Sequence, residues 1–408
     1  MTVTIASAPI IVVGAGQAGQ QICDSLRRGG YDGALVLLGD EPLLPYQRPP
    51  LSKKFLTGSL EPERLLLRPA SYYEKLEVGV RLGVAVSAID RSRRLLELVS
   101  GEVLAYSKLA LATGTRVRLL GMPGADLEGI HYIRTLADGI GLERALTHST
   151  RVAIIGGGFI GLEVAAIARG LGKDVVVIEA LERLMARAVS PQVSAFYADL
   201  HRGHGVEVRL ATAVAAIERT DHGLTLQTAS GAHTVDLIVA GIGVVPNSEL
   251  ARRAGLICGD GIVVDEFART SDPDIVAAGD CTMHRNGFLA REIRLESVQN
   301  AVDQAKVAAA SLLGQAMAYC QVPWFWSDQY DIKLQIAGIT MPHDLAVVRG
   351  DERAFSVLYF NGGQLIGADS INRPGDHMAC RKLLAQRTAF EPAQARDSSL
   401  DLLRLARA

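Results

Sequence analysis

Cysteine is scarce and scattered. The chain of 408 residues has five, Cys23, Cys258, Cys281, Cys320 and Cys380. No two stand at the C-x-x-C or C-x-x-x-x-C spacing. That argues against a redox-active dithiol, a zinc site or an iron–sulfur cluster within the chain, and no metal is expected. An excess of one charge is also missing. The net charge is −2, so no overall field attracts nucleic acid or an anionic membrane. No basic stretch followed by an apolar one opens the chain, so no signal peptide is expected. Long apolar runs are few. Residues 152–168 come nearest to a membrane span, but they hold four glycines and Glu163 and are slightly short. A buried strand, turn and helix explains them better. These absences describe a soluble, cytoplasmic α/β enzyme.

Glycine, by contrast, is plentiful and ordered. Pro9-Ile-Ile-Val-Val13 is an apolar run of buried-strand length, broken by Gly14-Ala-Gly16-Gln-Ala18-Gly19. A helical segment from Gln20 to Arg28 follows, then a second apolar run, Ala34 to Leu38, and Asp40. Strand, G-x-G-x-x-G, helix, strand and acid form a dinucleotide fingerprint. Gly14 allows the tight turn, Gly16 lets backbone approach a pyrophosphate, and Gly19 lets helix and strand pack closely. The unpaired amides of the helix start face the phosphates. Asp40 is placed for a ribose hydroxyl.

The unit recurs. Arg151 to Ile155 reads as a strand, Gly156-Gly-Gly158-Phe-Ile-Gly161 as a second fingerprint and Leu162 to Leu171 as a helix. Asp174 to Ile178 is the next strand, and Glu179 ends it. This internal duplication predicts two dinucleotide sites. Between the copies, the proline-rich residues 41–60 form a loop in which Ser52 is placed to cap a short helix beginning at Lys53. Residues 78–106 suggest short strands, and Leu109 to Gly114 another strand. Further strands are expected near 206–210, 213–218, 224–228, 237–240 and 274–280, and a helix over 296–313. After Cys320 the texture changes, with both tryptophans, Trp324 and Trp326, close together. If this stretch is a strand, alternation turns at most one of them to a core.

The fold class is therefore α/β: two Rossmann-like dinucleotide-binding domains plus a C-terminal α+β domain. The boundaries are 1–115 with 244–320 for the first dinucleotide-binding domain, which is discontinuous, 116–243 for the second, and 321–408 for a C-terminal interface domain. Gly243 lies at the return to the first domain.

With these motifs in place, the chain resembles a family: the NADH-dependent ferredoxin reductase flavoproteins of the glutathione-reductase fold, which include putidaredoxin reductase and the reductases of aromatic-ring dioxygenases. The resemblance covers essentially the whole chain. It is carried by Gly14 to Gly19, Arg48-Pro-Pro-Leu-Ser-Lys53, Ala112-Thr113-Gly114, Tyr132-Ile-Arg-Thr135 and Gly156 to Glu163. Gly279-Asp280-Cys281, Glu296-Ser-Val298 and Trp324-Phe-Trp-Ser-Asp-Gln329 complete it. It implies FAD in the first domain, held by Ala18, Asp40, Lys53, Val86, Arg134, Asp280 and Val298, and NAD in the second. The same motifs bring in Arg48, Ala112, Thr113, Gly114, Gly279, Glu296 and Trp324 as cofactor contacts. It also implies that Lys53 and Glu163 meet beside the isoalloxazine ring. Read by spacing alone, Lys53 is a solvated lysine at a helix start, Glu163 is equally an acid favoured by a helix dipole, and Asp280 is also a cap.

A nicotinamide delivers two electrons together, an iron–sulfur cluster takes one, and a flavin converts between them. The implied acceptor is a 2Fe–2S ferredoxin, which feeds a terminal oxygenase, either a Rieske dioxygenase or a cytochrome P450. The enzyme is expected as a monomer or homodimer, without nucleic-acid or membrane partners. The alternatives are a rubredoxin reductase, an NADH oxidase and, from another class, a flavin-holding interaction protein that senses NADH. Glu179, without an adjacent arginine, favours NADH over NADPH. Lys306 matches a basic position that faces an acidic partner in the family.

Overall fold

The computed structural model describes residues 8–287 and 291–407. They form two compact units. One comprises 8–47, Glu63–Arg116 and Val245–Pro323; the other comprises Arg48–Pro62, Val117–Val244 and 324–407. Residues 48–62 thus pack with the second unit although first-unit sequence lies on both sides of them.

The first unit is built on a parallel five-stranded sheet in the order Ile275–Ala277, Lys108–Leu111, Ile10–Val13, Leu35–Leu38, Val78–Arg81. Its central strands are apolar on both faces, as a sheet covered on both sides requires. Ile11 and Val12 are fully buried. The helix Gln17–Arg28 covers one face and packs on the helix Val298–Leu312, burying Ile22, Cys23 and Leu26. An antiparallel meander, Val86–Asp90, Leu95–Leu98, Val103–Ala105, is inserted between the third and fourth strands in chain order.

The second unit repeats this plan. Its parallel sheet runs Ile130–His131, Leu237–Ala240, Arg151–Ile155, Asp174–Ile178, Glu207–Arg209. The meander Val214–Thr220, Gly223–Thr228, Gly231–Val235 sits at the equivalent insertion point. The duplication seen in the glycines therefore extends to strand order and to the meander. The final segment of the chain forms an antiparallel sheet, Trp324–Gln329, Ile332–Gly338, Gln364–Ile371, Ala354–Asn361, Leu345–Asp351, backed by the helix Pro374–Gln386.

Three local expectations are corrected. Both fingerprint helices begin earlier than Gln20 and Leu162, at Gln17 and Phe159, because Gly16 and Gly158 are themselves the N-cap residues. Ser52 does not cap a helix. It ends a 3-10 turn, Pro49–Ser52, and its hydroxyl turns inward instead. Finally, Trp324 and Trp326 lie on one face of their strand, with ring centroids 5.6 Å apart. Residues two apart in a strand point the same way, so the face that goes inward belongs to Ser327 and Gln329, both buried.

Candidate active site

The two glycine turns are shaped by contacts that a side chain would destroy. Gly14 has φ of 114°, and a Cβ there would stand 2.1 Å from the Ala112 carbonyl oxygen. At Gly16 a Cβ would meet nothing within 4 Å, so the backbone lies open to a ligand. The second turn repeats the arrangement: a Cβ at Gly156 would stand 2.6 Å from the Gly241 carbonyl oxygen, and one at Gly158 would meet nothing closer than 3.9 Å. The helix starts fit the same purpose. The helices Leu136–His148, Pro191–Gly203 and Val298–Leu312 each have a side-chain cap, from Thr135, Ser190 and Ser297. The two fingerprint helices have none and open instead on glycine turns, whereas Pro374–Gln386, also without a side-chain cap, opens on a proline. Their first-turn amides are left for an acceptor from outside the chain, which a pyrophosphate supplies.

Around the first turn, Gly279 abuts Ala18, its ideal Cβ lying 3.1 Å from that of Ala18. Its amide donates to Gln304 Oε1 at 2.8 Å, which ties the Gly279-Asp280 turn to the helix Val298–Leu312. Thr113 is locked to Asn247 by two hydrogen bonds, Oγ1 to the Asn247 carbonyl at 2.7 Å and Asn247 Nδ2 to the Thr113 carbonyl at 2.9 Å. Asp40 is exposed, and Asp280 and Val86 are half-buried. Val298 opens its helix, and Glu296 pairs with Arg294. Lys306 pairs with Asp303 at 2.9 Å on the exposed side of the helix.

In the second unit, Glu179 is engaged by backbone amides. Its Oε2 accepts from Gly157 N at 2.6 Å and its Oε1 from Leu181 N at 2.8 Å. The strand register sets Glu179 level with Gly39 rather than Asp40, because Leu38 pairs with Val13 as Ile178 pairs with Ile155. Arg183 does not reach toward Glu179. Its guanidinium donates to the Val189 and Ala186 carbonyls, at 2.7 and 2.6 Å, and to Ser194 Oγ. Gly243 accepts from Arg118 N at 2.9 Å. Arg48 Nη1 donates to the Arg134 carbonyl at 2.7 Å, and the amides of Arg134 and Thr135 donate to Asp138, which completes the capping box of the next helix. Trp324 carries the Arg381 guanidinium over its ring at 4.8 Å.

The most concentrated chemistry lies at Glu163. It sits one residue beyond the first turn of the helix Phe159–Gly170 and is only 3% exposed. Lys53 Nζ lies 2.7 Å from Oε2, Ser52 Oγ 2.5 Å from the same oxygen, and Ser327 Oγ 2.6 Å from Oε1. The helix-dipole account of Glu163 is therefore replaced by a direct ion pair. A buried carboxylate demands such partners, since stripping its water without them costs several kcal/mol. Sequence reasoning missed Ser52 and Ser327 as members of this cluster. For Ser327 a signal was present: Ser327 and Gln329, two apart on a strand, make a polar face where an apolar one is usual.

Residues 8–305 match the pyridine nucleotide-disulphide oxidoreductase family, and residues 324–406 match the reductase C-terminal family. The chain is 47% identical to rhodocoxin reductase of Rhodococcus erythropolis over 96% of this chain and 93% of that protein. Among solved structures, the ferredoxin reductase for the CYP199A2 system of Rhodopseudomonas palustris superposes with a TM-score of 0.95 at 41% identity, covering 98% of this chain and 100% of that one. The covalent putidaredoxin reductase–putidaredoxin complex gives a TM-score of 0.95 at 37% identity, covering 98% and 99%. Among the described residues no helix is long and apolar enough to cross a membrane. With two fingerprint turns, a duplicated parallel sheet and a matching C-terminal domain, the chain belongs to the pyridine nucleotide-disulphide oxidoreductase family.

Proposed function

We propose that the chain is an FAD-containing reductase that takes electrons from NADH and delivers them to a 2Fe–2S ferredoxin serving a Rieske dioxygenase or a cytochrome P450. The observation that carries this reading is the double cradle: one chain holds two uncapped, glycine-lined helix starts, one for each dinucleotide, together with the Lys53–Glu163 pair. The relatives support the acceptor, since they include a reductase named for rhodocoxin and a reductase solved in complex with putidaredoxin. In this reading 1–115 with 244–320 hold FAD, 116–243 hold NAD, and 321–408 form the docking domain. The work is placed in the cytoplasm, where NADH is made.

The bound flavin supplies the conversion between a two-electron donor and a one-electron acceptor. The chain does the holding. Gly14, Gly16, Ala18 and Gly19 admit the FAD pyrophosphate, and Asp40 and Asp280 accept from its hydroxyls. Val86, Ala112, Thr113, Gly114, Gly279, Glu296 and Val298 would line the same cofactor. Gly156, Gly158 and Gly161 admit the second pyrophosphate, and Gly243 leaves room beside it. Lys53 and Glu163 fix the reacting end of the nicotinamide, and Trp324 packs toward the acceptor.

Glu179 selects the coenzyme. Its carboxylate accepts from a 2′-hydroxyl and repels a 2′-phosphate, and Arg183, tied to backbone carbonyls, does not offset that repulsion. NADH is expected to give a kcat/KM at least roughly 10-fold above NADPH, as one tenfold step corresponds to about 1.4 kcal/mol of discrimination. Equal values would overturn the assignment of Glu179.

The function itself is tested by steady-state cytochrome c reduction with NADH, with and without a 2Fe–2S ferredoxin. Turnover should depend on the ferredoxin, and rapid transfer to oxygen alone would favour the oxidase. The Trp324→Ala and Trp326→Ala variants refine the test. Both rings are partly exposed on one strand face, where large rigid rings supply contact area at small conformational cost. At least one variant is expected to lose roughly 10-fold or more in ferredoxin-dependent turnover, the loss of a hot-spot residue, while flavin reduction by NADH, FAD content and melting temperature stay unchanged. If both keep full turnover, or lose it only by unfolding, the exit surface lies elsewhere.

A further inference from the structure

Glu163 is the end of a longer polar path. Ser327 Oγ, 2.6 Å from Glu163 Oε1, also lies 3.2 Å from Gln329 Nε2. Gln329 Oε1 lies 2.9 Å from His201 Nε2, and His201 Nδ1 lies 3.2 Å from the Tyr330 hydroxyl. Ser327 and His201 are 0% exposed and Gln329 is 1% exposed, so water does not compete for these groups.

The chemistry of each group fixes the direction of every bond. A carboxylate only accepts, so Ser327 must donate to Glu163. Its one proton is then spent, and its oxygen must accept from the Gln329 amide nitrogen. The amide oxygen is left facing His201 Nε2, so that nitrogen must carry the ring proton. Burial pushes the His201 imidazolium down to about 4, so the ring is neutral at neutral pH. Nδ1 is then bare and accepts from Tyr330. Reversing any link would set two donors or two acceptors face to face in a buried place, which is strongly disfavoured.

The scaffold enforces the geometry. Ser327 and Gln329 share the inward face of the strand Trp324–Gln329, and His201 comes from the helix Pro191–Gly203. Tyr330 begins the two-residue turn to the next strand, with φ of 55°. A bulky side chain is unusual there. Its ring lies flat against His204, with centroids 3.7 Å apart and planes at 11°.

We propose that Ser327, Gln329 and His201 are positioning residues for the nicotinamide reaction: a one-directional hydrogen-bond chain, starting at the Tyr330 hydroxyl, that holds Glu163 Oε1 so that Oε2 stays directed at Lys53. The inference rests on the reading that Glu163 acts beside the bound cofactors. It assigns no chemical step to the three residues. They do not touch Lys53; they act through the orientation of one carboxylate.

The test uses the FAD-loaded protein. In the wild type, the ¹⁵N and ¹H NMR signals of the His201 ring should report the neutral Nε2–H tautomer. The Nδ1–H tautomer would overturn the chain whatever the kinetics show. Stopped-flow reduction by NADH is then compared for Ser327→Ala, Gln329→Met and the reference variant Glu163→Gln. Each of the first two removes one link with little change in volume. Ser327→Ala, which removes the hydrogen bond to the charged Glu163, should lower the limiting rate roughly 10-fold, and Gln329→Met, which breaks the neutral links behind it, roughly threefold or more, each with the NADH dissociation constant changed less than about twofold. If Glu163→Gln is slow while Ser327→Ala and Gln329→Met reduce at the wild-type rate, the chain is overturned and the role of Glu163 stands. A Glu163→Gln variant with wild-type reduction overturns that role, and the positioning proposal falls with it. Should Ser327→Ala fail to fold, Gln329→Met and the tautomer decide.

Discussion

Glu163→Ala is expected to slow the reduction of bound flavin by NADH roughly 10- to 100-fold while FAD content stays at the wild-type level, as mispositioning at a reacting centre commonly costs that much. The stability cost should be modest. Lys53, whose side chain is 18% exposed, can turn to water once its partner is gone. The reverse deletion is not symmetric. Lys53→Met leaves Glu163, 3% exposed, with only hydroxyl donors, and an uncompensated buried charge costs about 3–5 kcal/mol. Urea unfolding should therefore place Lys53→Met well below Glu163→Ala. The double variant Lys53→Met/Glu163→Gln should recover most of the stability and none of the reduction rate. Stopped-flow traces for Glu163→Ala that overlay the wild type would remove the pair from the reaction. A Lys53→Met protein as stable as the Glu163→Ala variant would show that the buried charge finds another partner.

Gly14→Ala should yield protein without FAD, or no soluble protein. The added methyl would meet the Ala112 carbonyl oxygen at 2.1 Å, and the backbone there has φ of 114°. Neither the central strand nor its neighbour Lys108–Leu111 can retreat, since both are locked in the parallel ladder. A backbone collision of this kind, together with the left-handed strain, costs several kcal/mol. Gly16→Ala separates the cradle from the fold. Its methyl would point into open space, so the melting temperature of the cofactor-free protein should match that of the wild type. FAD affinity should nevertheless fall, because the space it fills is where the pyrophosphate approaches. A yellow, fully loaded Gly14→Ala protein would contradict the close contact. Unchanged FAD affinity in Gly16→Ala would move the pyrophosphate elsewhere.

Much of this was legible in sequence because parallel sheets covered on both faces leave a simple trace: continuous apolar runs that end at glycine turns. Ile10–Val13 and Arg151–Ile155 needed nothing more. Other features were hidden because they depend on distance along the chain. Nothing local to Ser52 tells that its hydroxyl meets a residue on the helix Phe159–Gly170; its position favoured a cap. The tryptophans were misjudged for another reason. Positions 324 and 326 are two apart, so strand alternation gives both rings the same face instead of separating them, and the buried face went to Ser327 and Gln329. Polar residues choose the inside only where partners wait, and those partners, Glu163 and His201, lie far away in sequence.

The shared strand order conceals one difference between the copies. In the second sheet every strand lies between Ile130 and Ala240. In the first, four strands precede Ala112, but the edge strand Ile275–Ala277 comes after the whole of the second sheet. During synthesis the chain emerges from its N-terminus, so the edge Lys108–Leu111 stays unpaired while the other sheet is made to completion. Leu109, Ala110 and Leu111, all fully buried in the finished protein, form an apolar template during that interval. An open edge of this kind recruits wrong strands as readily as right ones. The late arrival of three residues thus sets how long that apolar edge stays open on the nascent chain.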